Sequence, residues 1–289
     1  MKAMIPHANR FHGINFRSVA GVQAPRVGRS LLALLIGILV LSLLGSVNAQ
    51  THSSNGQWNL NNNGNWSLTA NWNNLDPGTD YPSGQDAFAN LSTINITANR
   101  TITLDVPVTL GELSIGDTTG NNSYTIQGGT LTFDSAGGIS TITKTDGGGN
   151  DTISSAIVLN NELDILHIDT SNAQGLLLTG VISGGTNGSV TIKFSDLSAP
   201  GADGSLGFLY LNNGGNSFQG QLVVDSGLLR YESNPRAAGA RGVGNETIAM
   251  GEGGIDLRDQ DFNYQSDDTE IFMIAGRGPR IIYVRPPAH

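Results

Sequence analysis

The sequence predicts an all-β protein, a right-handed parallel β-helix preceded by a cleaved signal peptide, and three observations carry that expectation. First, 39 of 289 residues are Gly, accompanied by many Asn, Ser and Thr, while charged residues make up only 13%. Gly and Asn are poor in helix interiors and good in turns. Second, the apolar residues are mostly Val, Ile and Leu in short runs flanked by Thr, with turn signals recurring about every 8 to 12 residues, the spacing of a sandwich or a solenoid. The turns are Gly-rich and variable in length, not tight Asn-Gly hairpins, which favours the solenoid. Third, there is no Cys. A secreted chain without disulfides must bury apolar surface some other way, and stacked coils that each cover the apolar face of the one below do so.

Residues 1–49 read as the signal peptide. Lys2, Arg10, Arg17, Arg26 and Arg29 occur with no Asp or Glu, an apolar stretch runs from Leu31 to Leu44, and Val47-Asn48-Ala49 precedes Gln50. A basic region, an apolar region and small residues before a cut site are the three parts of a secretory leader. The apolar stretch falls short of the roughly 20 residues of a membrane-spanning helix, so cleavage after Ala49 is expected over a retained anchor. The remaining chain then has ten Lys and Arg against 24 Asp and Glu, near −14. Nucleic-acid binding, which needs clustered basic residues, is not expected, and membrane contact is confined to the leader.

Residues 50–110 are expected to form a Trp-containing N-terminal cap and the first coils. Between Thr101 and Leu110, Ile102, Leu104, Val106, Val108 and Leu110 alternate with polar residues, the period of a strand. After Gly111 the apolar set moves to Leu113 and Ile115, so Gly111 marks a turn or bulge. Residues 111–260 hold the β-helix repeats: Tyr124–Ile126, Gly129–Phe133, Ser140–Thr143, Ile153, Ala156–Leu159, Leu163–Ile165, Leu176–Leu178, Val190–Phe194, Phe208–Leu211 and Leu222–Val224. At about 20 to 25 residues per coil the chain would make about 9 to 11 coils. Residues 261–289, with Arg277, Arg280, Arg285, Pro286 and Pro287, lose the pattern and read as an irregular, disordered or truncated tail.

The stretches Gly175–Gly185 and Leu209–Tyr231 resemble the autotransporter-associated β-strand repeat, with Asn216, Phe218 and Gly220 matching its turn and Val224, Gly227 and Leu229 its next strand. Upstream, Gly64-Asn65-Trp66, Asn71-Trp72, Ala87-Phe88 and Thr101–Asp105 are similar to the opening segment of large exported repeat proteins of aquatic bacteria such as planctomycetes. The resemblance implies a passenger-type β-helix, a stalk displayed on or released from the cell. No run of amphipathic strands for a translocator barrel is recognisable in the sequence.

Candidate sites are few. Asp164, His167 and Asp169 could supply an acid, a base or a metal ligand, but strand alternation puts Asp164 and His167 on opposite faces, and solvent-facing positions are expected for them. The dispersed acids Asp146, Asp151, Asp196, Asp203 and Asp225 read as turn residues capping their own backbone, without the ligand spacing of a calcium loop. Trp58, Trp66 and Trp72 are the only tryptophans. They read as a plug over the solenoid end, with a carbohydrate-stacking platform as the alternative. Thr101/Thr103 and Thr141/Thr143 are too few for an ice-binding lattice. Asn95-Ile96-Thr97 matters only if the host glycosylates it. No catalytic centre, cofactor or metal is expected. The expected function is an exported, secreted or surface-displayed structural or adhesive module, meeting extracellular polysaccharide or another cell; the alternative is a carbohydrate-binding or polysaccharide-active β-helix.

Overall fold

The computed structural model describes residues 54–256, with breaks at 120–121, 146, 148, 169–173, 186–189, 198–205, 232–238 and 240–244, together with 272–274. The expected leader and most of the expected tail lie outside these residues. Nearly all regular structure is strand, and among the described residues no helix is long and apolar enough to cross a membrane.

The chain opens with β1 (Gly56–Trp58), β2 (Gly64–Asn65), a 3-10 turn over Thr69–Asn71 and β3 (Trp72–Asn73). Four three-sided coils follow. They are β4 (Phe88–Leu91), β5 (Arg100–Leu104) and β6 (Val108–Leu110); then β7 (Glu112–Ile115), β8 (Tyr124–Gly128) and β9 (Thr130–Phe133). Next come β10 (Ile139–Lys144), β11 (Asp151–Ile153) and β12 (Ala156–Leu159), then β13 (Glu162–His167), β14 (Gly175–Leu178) and β15 (Ile182–Gly184). The stack continues with β16 (Ile192–Asp196), β17 (Phe208–Leu211), β18 (Leu222–Tyr231), β19 (Thr247–Asp256) and β20 (Phe272–Ile274).

Apart from β3, which runs antiparallel to β1, the strands pair in parallel with their counterparts one coil away, so the fold is the expected parallel β-solenoid. One side runs β1-β4-β7-β10-β13-β16-β18-β19-β20, the second β2-β5-β8-β11-β14-β17-β18, and the third is the separate sheet β6-β9-β12-β15. The first two sides merge because β18 is long enough to turn the corner. Its first half pairs with β16 and its second with β17, with a register irregularity at Val224/Ser226 and Gly227 at φ 81°.

The solenoid makes about five turns, against the 9 to 11 expected. Residues before Phe88 are spent on the cap, and among the described residues the third side is not continued after β15. The expected irregular tail contributes a further rung, since Thr247 pairs with Phe272 and Ala249 with Ile274. The alternating run Thr101–Leu110 is two strands on different sides of a coil. Asp105 N–H turns back to the Thr103 carbonyl, and Pro107, lacking an N–H, cannot continue a ladder. Gly111 is a corner as expected, and a Cβ there would come 2.6 Å from Asp86 Cα.

The core is a set of vertical columns. Ile102, Ile126, Ile153, Leu178, Leu211 and Tyr231 stack on the second side, and Ala89, Leu113, Ile142, Ile165, Phe194 and Val224 on the first. All are buried. Because the ladder is in register, like meets like from coil to coil, and one continuous core forms from strands too short to fold alone.

Corners are held differently. Side-chain amides there reach the neighbouring coil: Asn99 Oδ1 accepts Ser123 N–H at 3.0 Å, Asn150 Oδ1 accepts Gly175 N–H at 2.8 Å, and Asn216 Oδ1 accepts Ile182 N–H at 2.8 Å. This satisfies backbone groups where the ladder breaks. It gives these three corner Asn residues a role beyond turn propensity.

The repeat-like residues point inward. Phe218 is fully buried, Asn216 nearly so, and Val224 and Leu229 belong to the columns. Gly220 has φ 139°, and a Cβ there would lie 1.7 Å from the Val190 carbonyl oxygen. Gly220→Ala is therefore expected to cost at least about 1–3 kcal/mol. Gly137→Ala, whose nearest neighbour would be Ser135 Oγ at 3.5 Å, should change stability by less than about 0.5 kcal/mol. Urea unfolding of the two variants checks the contrast.

Candidate functional site

The three tryptophans close the N-terminal end of the stack. Trp58 and Trp72 face each other across the antiparallel pair β1/β3, with ring centroids 5.1 Å apart at 83°, and Trp66 meets Trp72 at 4.8 Å and 64°. Edge-to-face contacts of this kind add to the area the rings bury. Each indole N–H is satisfied by a carbonyl: Trp58 to Leu60 at 2.9 Å, Trp66 to Pro82 at 2.9 Å and Trp72 to Trp66 at 2.8 Å. Trp58 and Trp66 are 0% exposed and Trp72 4%. This corrects the stacking-platform alternative: no indole face is open to a sugar, because the rings pack on one another and on the first coil.

Asp105 ties this cap to the stack. Its carboxylate accepts Ser67 N–H at 3.0 Å and Ser67 Oγ–H at 2.5 Å. Slight burial pushes the carboxyl up, but the Ser67 hydrogen bonds outweigh it and hold Asp105 below its usual range.

The second cluster lies inside the solenoid, at the corner between the first and second sides. In the first-side column Ile115 is followed by Lys144, His167 and Asp196. In the second-side column Tyr124 is followed by Asp151 and then Leu176. Lys144, His167 and Asp151 are each 0% exposed, as is Asp117 in the coil below. The expectation of a solvent-facing His167 is thus overturned. Alternation did place Asp164 on the other face, as expected, and by the same rule it turned His167 into the core. Asp169 lies outside the described residues, so the three expected candidates are not seen together.

Lys144 Nζ is 3.3 Å from Asp151 Oδ2, and it donates to the carbonyls of Thr145 and Gly147, both at 3.1 Å. Asp151 Oδ1 accepts the Tyr124 backbone N–H at 2.6 Å. Burial pushes the Asp151 carboxyl up to about 6, although Lys144 and the Tyr124 N–H pull it down. Burial, together with Asp117 and Asp151, also pushes the Tyr124 hydroxyl up. His167 Nδ1 lies 3.1 Å from Asp196 Oδ1, and Asp196 Oδ2 accepts Gly207 N–H at 2.7 Å.

The expected self-capping role of the acids is replaced by bonds between coils. Asp151 takes an N–H from the coil below, and Asp117 Oδ1 takes Ile96 N–H at 2.9 Å. Asp225 instead lies outside, 3.5 Å from Lys193. Asp146 and Asp203 fall outside the described residues. Thr101, Thr103, Thr141 and Thr143 face outward, and Asn95 is exposed. Among the described residues no group of three or more His, Asp or Glu is placed to hold a metal ion.

Sequence reasoning passed over Lys144, Asp117 and Tyr124. The available signal was Lys144 at the inward end of the run Ile139–Lys144, where Ser140 and Ile142 share its face. A charge that terminates an apolar face must be paired or exposed.

Removing one partner of a buried pair strands the other. Lys144→Met should therefore cost about 3–5 kcal/mol, and adding Asp151→Leu should recover most of that loss. Chemical unfolding of the single and double variants measures both.

Compared with protein-family models, with curated proteins and with solved structures, the chain shows no match.

Proposed function

We propose that the chain is an exported, non-enzymatic β-solenoid serving as a secreted or surface-displayed structural or adhesive module, a passenger-type stalk of the kind the autotransporter-associated repeat builds. The supporting observation is where the chemistry-bearing side chains go. The tryptophans, Lys144, Asp151, His167 and Asp196 are all spent inside the stack.

Outward positions of the first coils instead carry short polar groups in register: Thr101, Thr125 and Thr152 form one such column, which passes to Leu177 in the next coil. Such positions present a regular polar surface to a polysaccharide or to another cell.

The reading is tested by expressing the full chain in a Gram-negative host, locating it by fractionation, and screening the exported product for glycan binding and polysaccharide hydrolysis. Expected are a mature N-terminus at Gln50, no turnover, and any glycan binding unchanged in a folded Trp58→Phe variant. Retention in the cytoplasm would sink the export reading. Turnover, or binding that vanishes with Trp58→Phe, would move the protein to the carbohydrate-active class.

A further inference from the structure

Lys144 and Asp151 face each other in a setting unfavourable to an ion pair. Both side chains are 0% exposed, and taking two charges out of water costs more than their attraction returns unless every polar atom is satisfied. Here it is not, since Asp151 Oδ2 has no hydrogen bond directed at it and neither has Oδ2 of the buried Asp117. The same atoms are, however, arranged for a condensation.

We propose that Lys144 and Asp151 join in an intramolecular isopeptide bond, made by the protein itself with Asp117 as proton carrier, which covalently closes the corner between β10 and β11.

Four features place the reacting groups. Nζ stands 3.3 Å from Oδ2, and its bonds to the Thr145 and Gly147 carbonyls occupy both N–H groups of a neutral amine, leaving its lone pair for Asp151. Asp151 Oδ1 is held by the Tyr124 N–H at 2.6 Å, a donor that strengthens as negative charge gathers on that oxygen. Oδ2, without a hydrogen bond, is the oxygen placed to leave. Asp117 lies directly beneath the turn: a Cβ on Gly147 would sit 2.3 Å from the Asp117 carbonyl oxygen, and one on Gly116 would sit 2.3 Å from Thr145 Oγ1. Its charge is felt at both Asp151 and Tyr124.

The reaction balances without a cofactor. A proton passes from the Lys144 ammonium to Asp151 Oδ2, leaving an amine and a carboxylic acid. Burial, which pushes the Asp151 carboxyl up to about 6, lowers the cost of that exchange. Nζ attacks Cγ, and the carbonyl electrons move onto Oδ1 against the Tyr124 N–H. The Asp117 carboxylate takes a proton from Nζ and delivers it to Oδ2. The Cγ–Oδ2 bond breaks, the Oδ1 carbonyl re-forms and water departs. One Nζ–Cγ bond is made, one Cγ–Oδ2 bond is broken, and nothing is oxidised or reduced.

Holding the two groups in contact replaces a bimolecular condensation by an intramolecular one, whose effective concentration reaches the order of 10⁵ M or more when orientation is good. The amide then stands where two buried charges stood. Because the linked residues are close in the chain, the loss of unfolded-state entropy is smaller than a long loop would give. The gain is the removal of buried charge and a corner that cannot open under load.

The test is the intact mass of the purified full chain, each species being compared with the mass calculated for its own N-terminus. The wild type should be about 18 Da light, one water, and Asp151→Asn about 17 Da light, one ammonia. Lys144→Met and Asp117→Ala should show their calculated masses. After denaturation, trypsin should not cut at Lys144 in the wild type. A wild type at full mass with normal cleavage at Lys144 overturns the proposal. So does a water loss that persists in Lys144→Met, which would assign it to a succinimide at Asp146-Gly147. If the variants do not fold, the wild-type mass and tryptic map still decide.

Discussion

The stack of coils depends on the in-register parallel ladder. A side chain pointing inward meets its counterpart in the coils above and below, a strand separation of about 4.8 Å away. That repeats one choice, apolar or polar, along a column. Ile142 rests on Leu113 and under Ile165, and the same rule sets Lys144 on Ile115 and under His167. Apolar columns assemble the core mostly from strands of three to six residues. A polar residue in a column must find its partner within the corner it occupies, because the ladder offers it only its two neighbours.

The polar corner shows how the stack meets that demand. Lys144 reaches sideways to Asp151 on the next side of the same coil, while His167, one rung higher, pairs with Asp196 one rung higher still. Such pairs are poor sources of stability compared with apolar residues of the same volume. Their position along one edge therefore calls for a reason, and a covalent bond between the first two is a sufficient one.

At the N-terminal end the ladder meets a different constraint. An open rung exposes unpaired backbone and an uncovered core. The chain answers with β3, which runs antiparallel against β1, and with three mutually packed indoles whose N–H groups are all bonded. The tryptophans then behave as core residues of a cap, and the Ser67–Asp105 bonds fasten that cap to the first coil.

Strand positions, the Gly111 corner and the solenoid class were legible in the sequence, because period-two alternation and Gly-rich turns are local properties of the chain. The inward or outward choice within a single strand was legible too, as the separation of Asp164 from His167 shows. Which of those two faces is the core depends on the apolar partners Leu163 and Ile165, and reading His167 with them would have placed it inside. The pairing of Lys144 with Asp151, the approach of Asp117 from the coil below and the tight packing of the three indoles were decided only by the tertiary structure. They depend on how many residues each corner takes up, since a slip of one residue in the strand that follows turns that strand's side chains to the opposite face.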